Sequence, residues 1–161
     1  MEAGPGPLAD YFDGWYADMT TSPVKDEIQQ RHLGLPPHLL STSLLGWEGI
    51  AEATAELRLS AGGTLVDLAC GRGGYGLEIA ARTGARLLGV DFSAEAVRQA
   101  GEQARRLGTT ADFRVGDLAA TGWTPVRPMP CCASMRSTSP RSQPRPTARS
   151  PGSWPRADAW C

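Results

Sequence analysis

The chain has few of the residues that bind metals or form disulfides. Two histidines and four cysteines occur among its 161 residues. No two cysteines have the spacing of a zinc knuckle, and His32 and His38 lie far from all of them in the sequence. We therefore expect no metal site, and a reducing compartment, the cytoplasm, is the simplest setting for this chain.

Long apolar runs and an excess of charge are also missing. The longest apolar stretch is far shorter than the roughly 20 residues of a membrane-spanning helix. The first residues lack the basic region and apolar core of a signal peptide, so we expect none. A formal net charge of -1 gives no electrostatic reason to expect a nucleic acid or a membrane as partner.

The most informative stretch of the chain is residues 64–76. It reads Thr-Leu-Val-Asp-Leu-Ala-Cys-Gly-Arg-Gly-Gly-Tyr-Gly, an apolar run broken by Asp67 and followed by four glycines within six residues. A helical pattern comes next. This order predicts a buried strand, a tight turn and a helix whose N-terminus faces the turn. Glycines would let a ligand approach the backbone closely at this point.

Alternating strand and helix patterns place this turn at the start of an open α/β sheet. We predict an α/β fold, a Rossmann-like parallel sheet of about three strands that is incomplete. A helical cap (residues 1–59) precedes the core (residues 60–122). The predicted helices are 8–19, 24–32, 36–45, 47–59, 73–82 and 94–107, and the predicted strands are 64–70, 86–91 and 111–116.

Three features stand where the predicted parallel strands end: the glycine turn, Asp91 and Asp117. Ligands of open α/β sheets bind beyond the carboxyl ends of the strands. Gly71 and Asp91 are 20 positions apart, the interval at which an acid can reach the two hydroxyls of a ribose. The combination indicates a cofactor that contains a nucleoside.

Two kinds of cofactor fit that pattern. Gly71, Gly73 and Gly76 have the Gly-x-Gly-x-x-Gly spacing of dinucleotide sites, which would suit a nicotinamide-dependent oxidoreductase. Asp67, inside the first strand, has no clear use in such a site. An acid there suits a cofactor with an amino group, and Asp67 and Asp117 together favour this second kind.

Three segments resemble the first three motifs of class I S-adenosylmethionine-dependent methyltransferases: residues 66–76, 88–93 and 113–118. The resemblance implies that the turn from Asp67 to Gly73 holds the methionine part of the cofactor. It implies that Asp91 binds the ribose and Phe92 flanks the adenine. It also implies that Asp117 accepts a hydrogen bond from the adenine amino group and that Leu118 offers a backbone contact. The implied cofactor residues are Asp67, Ala69, Cys70, Gly71, Gly73, Asp91, Phe92, Asp117 and Leu118. Ala69 departs from the family, which usually has glycine there.

The function implied by this resemblance is direct in-line methyl transfer from S-adenosylmethionine to a small-molecule acceptor. No residue before position 122 stands out as a catalytic base. A non-catalytic fragment that binds a nucleotide or S-adenosylmethionine is a second interpretation, and a nicotinamide-dependent oxidoreductase is a third.

The composition changes abruptly after residue 122. Residues 123–161 hold eight of the 13 prolines and six of the 16 basic residues, but one of the 17 acidic residues and no Leu, Ile, Phe or Tyr. Their net charge is +5, against -6 for residues 1–122. We predict a disordered Pro/Arg/Ser-rich tail that replaces the later strands of the fold and leaves the enzyme truncated.

One hypothesis for this change is that the tail is translated out of frame. If each codon starts one base earlier, with G or C at uncertain third positions, residues 125–138 become Gly-Pro-Ala-Asp-Ala-Val-Leu-Arg-Val-Asp-Ala-Val-His. That apolar strand resembles the fourth motif of the same family. Resequencing the gene across the codons for residues 122–130 should reveal one extra or missing base, and an intact frame would contradict the hypothesis.

Overall fold

The structure, a computed structural model, describes residues 7–118 and 159–160. Three helices come first, followed by alternating strands and helices. The elements are α1 (Pro7–Thr21), α2 (Val24–Leu33), α3 (Trp47–Leu57), β1 (Thr64–Leu68), α4 (Gly74–Thr83), β2 (Arg86–Asp91), α5 (Ala94–Leu107), β3 (Ala111–Val115) and β4 (Ala159–Trp160).

The sheet has the strand order β3-β2-β1-β4, and every pair of neighbouring strands is parallel. Asp67 pairs with Gly89, and Asp91 pairs with Val115. This register places the carboxyl ends of β1, β2 and β3 side by side. The predicted Rossmann-like sheet with three main strands is confirmed.

The short strand β4 belongs to the segment predicted as a tail. Its two residues pair with Leu65 and Val66 of β1. The rest of the predicted tail, together with the hypothesis about its reading frame, lies outside the described residues.

The main core lies between one face of the sheet and the helices α3, α4 and α5. Leu65 of β1 and Leu87 of β2 are fully buried on this face. They pack with Ile50 of α3 and with Leu77 of α4. The helices are therefore fixed against the sheet by the burial of these apolar side chains.

Capping residues define the ends of the helices. The Ser93 hydroxyl accepts a hydrogen bond from the Ala96 amide at 3.1 Å and begins α5. Gly108, at a φ of 64°, ends that helix.

Among the described residues, no helix combines the length and the hydropathy that crossing a membrane would require.

The helix predicted over residues 36–45 is wrong, because this segment folds as turns and bends. Two prolines at its start remove two backbone donors. The carbonyl oxygens of Pro37 and Leu39 instead accept hydrogen bonds from the Gln30 side chain, at 3.1 and 3.2 Å. The segment thereby closes over the start of α4, where the Leu40 carbonyl faces Gly74.

Two glycine-to-alanine substitutions should have opposite effects on stability. A Cβ at Gly74 would collide with the Leu40 carbonyl, whereas a Cβ at Gly101, inside α5, meets nothing within 4 Å. Gly74→Ala should lower the free energy of unfolding by about 1–3 kcal/mol. Gly101→Ala should raise it by about 0.5–1 kcal/mol, because alanine favours the helix. Urea unfolding measures both changes, and equal effects would contradict this packing.

Candidate cofactor-binding site

The chain reverses between β1 and α4 through three left-handed residues. Ala69, Gly71 and Gly73 have φ values of 59°, 52° and 76°. The Cys70 amide donates to the Val90 carbonyl at 3.1 Å, and the Gly73 amide donates to the Cys70 carbonyl at 2.8 Å. The predicted glycine turn is therefore present, and it is tied to the neighbouring strand β2.

Asp91 fixes this turn from the end of β2. Its side chain is 3% exposed. One carboxylate oxygen accepts the Gly71 amide at 2.8 Å, and the other accepts the Ser93 amide at 2.9 Å. A carboxylate has about four acceptor positions, so two remain for a ligand after these bonds. The 20-residue interval noted in the sequence thus corresponds to a direct hydrogen bond.

Asp67 lies on the same face of the sheet, under the start of α4. Its carboxylate oxygen would be 2.5 Å from a Cβ built on Gly76. Burial, and then the charge of Asp91, raise the pKa of Asp67 to about 7, while a hydrogen bond from the Gly76 amide opposes this shift. The folded state therefore keeps a proton that the unfolded chain releases. This contribution to stability is present at acidic pH and is lost as the pH rises through about 7.

Cys70 is a buried thiol in the turn and is not in a disulfide. Burial, together with Asp67 and Asp91, raises the pKa of this thiol well above its usual value. A thiol that stays protonated is a poor nucleophile. Its place in the turn is therefore one of packing, against Gly89 of β2.

Helix α1 covers the turn and the end of β2. The Phe12 ring contacts the Phe92 ring edge-on, with 5.2 Å between the centroids. Asp13 accepts hydrogen bonds from the Ser93 hydroxyl at 2.5 Å and from the Glu95 amide at 3.1 Å. A carboxylate at this position also complements the partial positive charge at the start of α5.

Tyr16 of α1 lies directly over the turn. A Cβ at Gly71 would be 2.8 Å from the Tyr16 hydroxyl oxygen. Burial, and then Asp91, raise the pKa of Tyr16, while a hydrogen bond with the Thr42 side chain opposes this shift. The hydroxyl is therefore protonated and can donate a hydrogen bond next to the glycine turn.

Arg72, between two glycines of the turn, points away from solvent and is 4% exposed. Its guanidinium forms two hydrogen bonds of 2.8 Å with the two carboxylate oxygens of Asp26 in α2. Helices α1 and α2 therefore both contact this turn. The contact of α2 is the ion pair, and that of α1 is the Tyr16 hydroxyl.

Asp117 and Leu118 follow β3 at the same edge of the sheet. The Gly116 amide donates to the Asp91 carbonyl at 2.9 Å and holds this segment beside the end of β2. Asp117 is exposed and Leu118 is partly buried. The structure therefore brings all the sequence-predicted residues to adjacent strand ends, although their roles in binding remain predictions.

Four residues at the site were not singled out for it by sequence reasoning: Asp13, Tyr16, Asp26 and Arg72. Their contacts join residues 46 to 82 positions apart. A local pattern contains no sign of such pairs. The one available signal was the arginine between Gly71 and Gly73, since a charged residue in a buried turn needs a partner.

Residues 65–136 match the family model of the methyltransferase domain. The match confirms the resemblance noted in the sequence, and it continues past residue 122, where we placed the end of the core.

The domain is also similar to several solved methyltransferases. A SAM-dependent methyltransferase from Thiobacillus denitrificans, in complex with S-adenosyl-L-homocysteine, is 35% identical over 45% of this chain and 30% of that one, with a TM-score of 0.42. One from Geobacter sulfurreducens, also with S-adenosyl-L-homocysteine, is 32% identical over 44% and 29%, with a TM-score of 0.41.

A third similar structure is geranyl diphosphate C-methyltransferase from Streptomyces coelicolor A3(2). It is 29% identical over 47% of this chain and 30% of that one, with a TM-score of 0.44. The chain thus spans about a third or less of the length of these solved structures. Comparison with curated protein sequences finds no match.

The left-handed backbone at Ala69 predicts a gain in stability from glycine. A non-glycine residue costs about 1–2 kcal/mol in this conformation, and part of that is offset by the greater freedom of glycine in the unfolded chain. Ala69→Gly should therefore raise the free energy of unfolding by about 0.5–1 kcal/mol. Urea titration at fixed pH measures the change.

A matched control for this prediction is Ala81→Gly, at an exposed position inside α4. There the same substitution should lower stability by about 1 kcal/mol, because the alanine is in an ordinary helical conformation. A loss of stability in both variants would contradict the strain assigned to Ala69.

Proposed function

We propose that this chain contains the cofactor-binding part of an S-adenosylmethionine-dependent methyltransferase that acts on a small molecule in the cytoplasm. The observation that supports it most is the 2.8 Å hydrogen bond between the Gly71 amide and Asp91. This bond joins a glycine turn and a buried acid at the carboxyl ends of two parallel strands, in a segment that matches the methyltransferase domain.

The residues present fit such a cofactor in two respects. Gly71 and Gly73 have left-handed backbones that are packed against Tyr16 and Phe113, so the two respects concern Asp91 and Phe92. Asp91 keeps acceptor positions beyond its two backbone hydrogen bonds, and these suit the two hydroxyls of a ribose. Phe92 offers an aromatic face beside them, supported by Phe12.

Asp67 fits the methionine end of the cofactor. The first cause of its raised pKa is burial and the second is another acid, so its negative form lacks charge compensation. An ammonium group close to it would supply that compensation. We propose that Asp67 binds the cofactor amino group, directly or through water, and that Asp117 and Leu118 bind the adenine.

A sulfonium methyl group can be transferred in line to a nucleophile, with the thioether as leaving group. Positioning of the acceptor then supplies much of the rate. Tyr16, Asp13 and Asp26 hold the N-terminal helices over the turn. We propose that these helices shape the side of the pocket that faces the acceptor.

A small-molecule acceptor agrees with two observations. The near-neutral net charge gives no electrostatic reason to expect a nucleic acid as acceptor. One of the similar structures contains geranyl diphosphate, a small molecule.

A second function is cofactor binding without catalysis, because no residue before position 122 stands out as a catalytic base. Calorimetric titration of the 161-residue chain with S-adenosylmethionine tests the site common to both. Formation of S-adenosylhomocysteine in the presence of candidate acceptors separates the two. Binding of NADH with no binding of S-adenosylmethionine would contradict the proposal and favour an oxidoreductase.

The role of Asp67 predicts a pH dependence of binding. Below pH 7 the cofactor ammonium must displace the Asp67 proton, so affinity should fall as the pH falls. We expect binding at pH 6 to be about five- to tenfold weaker than at pH 7.5. Calorimetry in buffers of different ionisation enthalpy should detect the released proton.

The matched variant for this measurement is Asp67→Asn, which keeps the shape of the side chain and removes its charge. It should bind more weakly at pH 7.5 and show little change between pH 6 and pH 7.5. If the variant keeps the pH dependence of the unchanged chain, another group is responsible and the assignment of Asp67 is wrong.

A further inference from the structure

The ion pair between Arg72 and Asp26 links two parts of the chain that are distant in sequence. Arg72 lies within the glycine turn, and Asp26 lies in the first turn of α2. Both nitrogens at the end of the guanidinium take part, each with its own carboxylate oxygen, at 2.8 Å. Such paired bonds fix the relative orientation of the two planar groups, not only their distance.

Burial makes this pair sensitive to the loss of either partner. The side chains of Arg72 and Asp26 are 4% and 13% exposed. The Arg72 Nε atom is buried without a hydrogen-bond partner among the described residues, and a terminal nitrogen lies 3.8 Å from the sulfur of Met19. Among the contacts of this guanidinium, Asp26 supplies the negative charge. Without it, a buried cation would be left uncompensated, which is far more costly than the loss of an exposed pair.

The neighbours of Arg72 are the residues that the cofactor site depends on. Gly71 donates its amide to Asp91 at 2.8 Å, and Gly73 begins α4 in a left-handed conformation. A displacement of Arg72 to reach solvent would therefore move the Gly71 amide or the start of α4. The orientation of the ion pair and the shape of the turn are in this way coupled.

We propose that Asp26 is a positioning residue for the cofactor site, acting through Arg72. This inference rests on the proposed function. Helix α2 and the glycine turn then form one coupled unit. Cofactor binding stabilises the N-terminal helices, and an intact α2 raises the affinity for the cofactor. Coupling of this kind is reciprocal between the two sites.

The test compares Asp26→Asn with Glu27→Gln in the full chain. Glu27 is the next residue of the same helix and is exposed, so its variant controls for the loss of one negative charge. Calorimetry with S-adenosylhomocysteine should show affinity reduced by about tenfold or more for Asp26→Asn. Affinity should be nearly unchanged for Glu27→Gln, and equal affinity in the two variants would overturn the proposal.

Hydrogen exchange provides a readout that a general loss of stability would not reproduce. In the unchanged chain, saturating S-adenosylhomocysteine should slow amide exchange at the turn, in α5 and in α2. In Asp26→Asn at saturation, the slowing should remain in α5 and be lost in α2. Equal slowing of α2 in both chains would show that the ion pair does not transmit the effect.

A third measurement needs no ligand and no fully stable variant. Amides of residues 71–73 should exchange about tenfold faster in Asp26→Asn than in Glu27→Gln, relative to α5 in the same molecule. Faster exchange at the turn would support the coupling even if the unchanged chain bound no S-adenosylhomocysteine. The absence of binding would contradict the proposed function and not the coupling. Equal exchange at the turn, relative to α5, would overturn the inference.

Discussion

The hydrogen bond from the Gly71 amide to the Asp91 carboxylate is the constraint on which the rest of the site depends. It closes the turn after β1 onto the end of β2 at 2.8 Å. The other oxygen of Asp91 holds the Ser93 amide, where α5 begins. One buried side chain therefore determines the direction in which the chain leaves both strands. Because the hydrogen bonds are charge-assisted, they compensate part of the cost of burying the acid.

This arrangement places two acids close together in a site with little solvent. Asp91 receives two backbone donors, whereas Asp67 receives the Gly76 amide and the repulsion of Asp91. The two carboxyl groups therefore have different surroundings although they are the same residue type. A positive group next to Asp67 would offset this repulsion and favour the ionised form of its carboxyl group.

The sequence predicted those parts of the fold that local chemistry determines. The limits of β2 agree with the structure because an apolar run ends at Asp91, and Ser93 then caps α5. The helix expected at 36–45 failed because distant groups compete for its backbone, with the Gln30 side chain taking two carbonyls. The long-range partners were equally out of reach. Asp26 meets Arg72 of the turn, and Asp13 meets the start of α5, only after α1 and α2 have folded back onto the sheet.

The N-terminal helices therefore do more than cover apolar surface. They reach the strand ends at three chemically different points: a carboxylate at the start of α5, a hydroxyl over Gly71, and an ion pair with Arg72. Removal of Asp26 would leave the Arg72 guanidinium without this partner, and removal of Asp13 would do the same to the Ser93 hydroxyl. The turn is thus held from the sheet side by Asp91 and from the helix side by Tyr16 and Asp26. A shift of either side must change the geometry that a bound cofactor would meet.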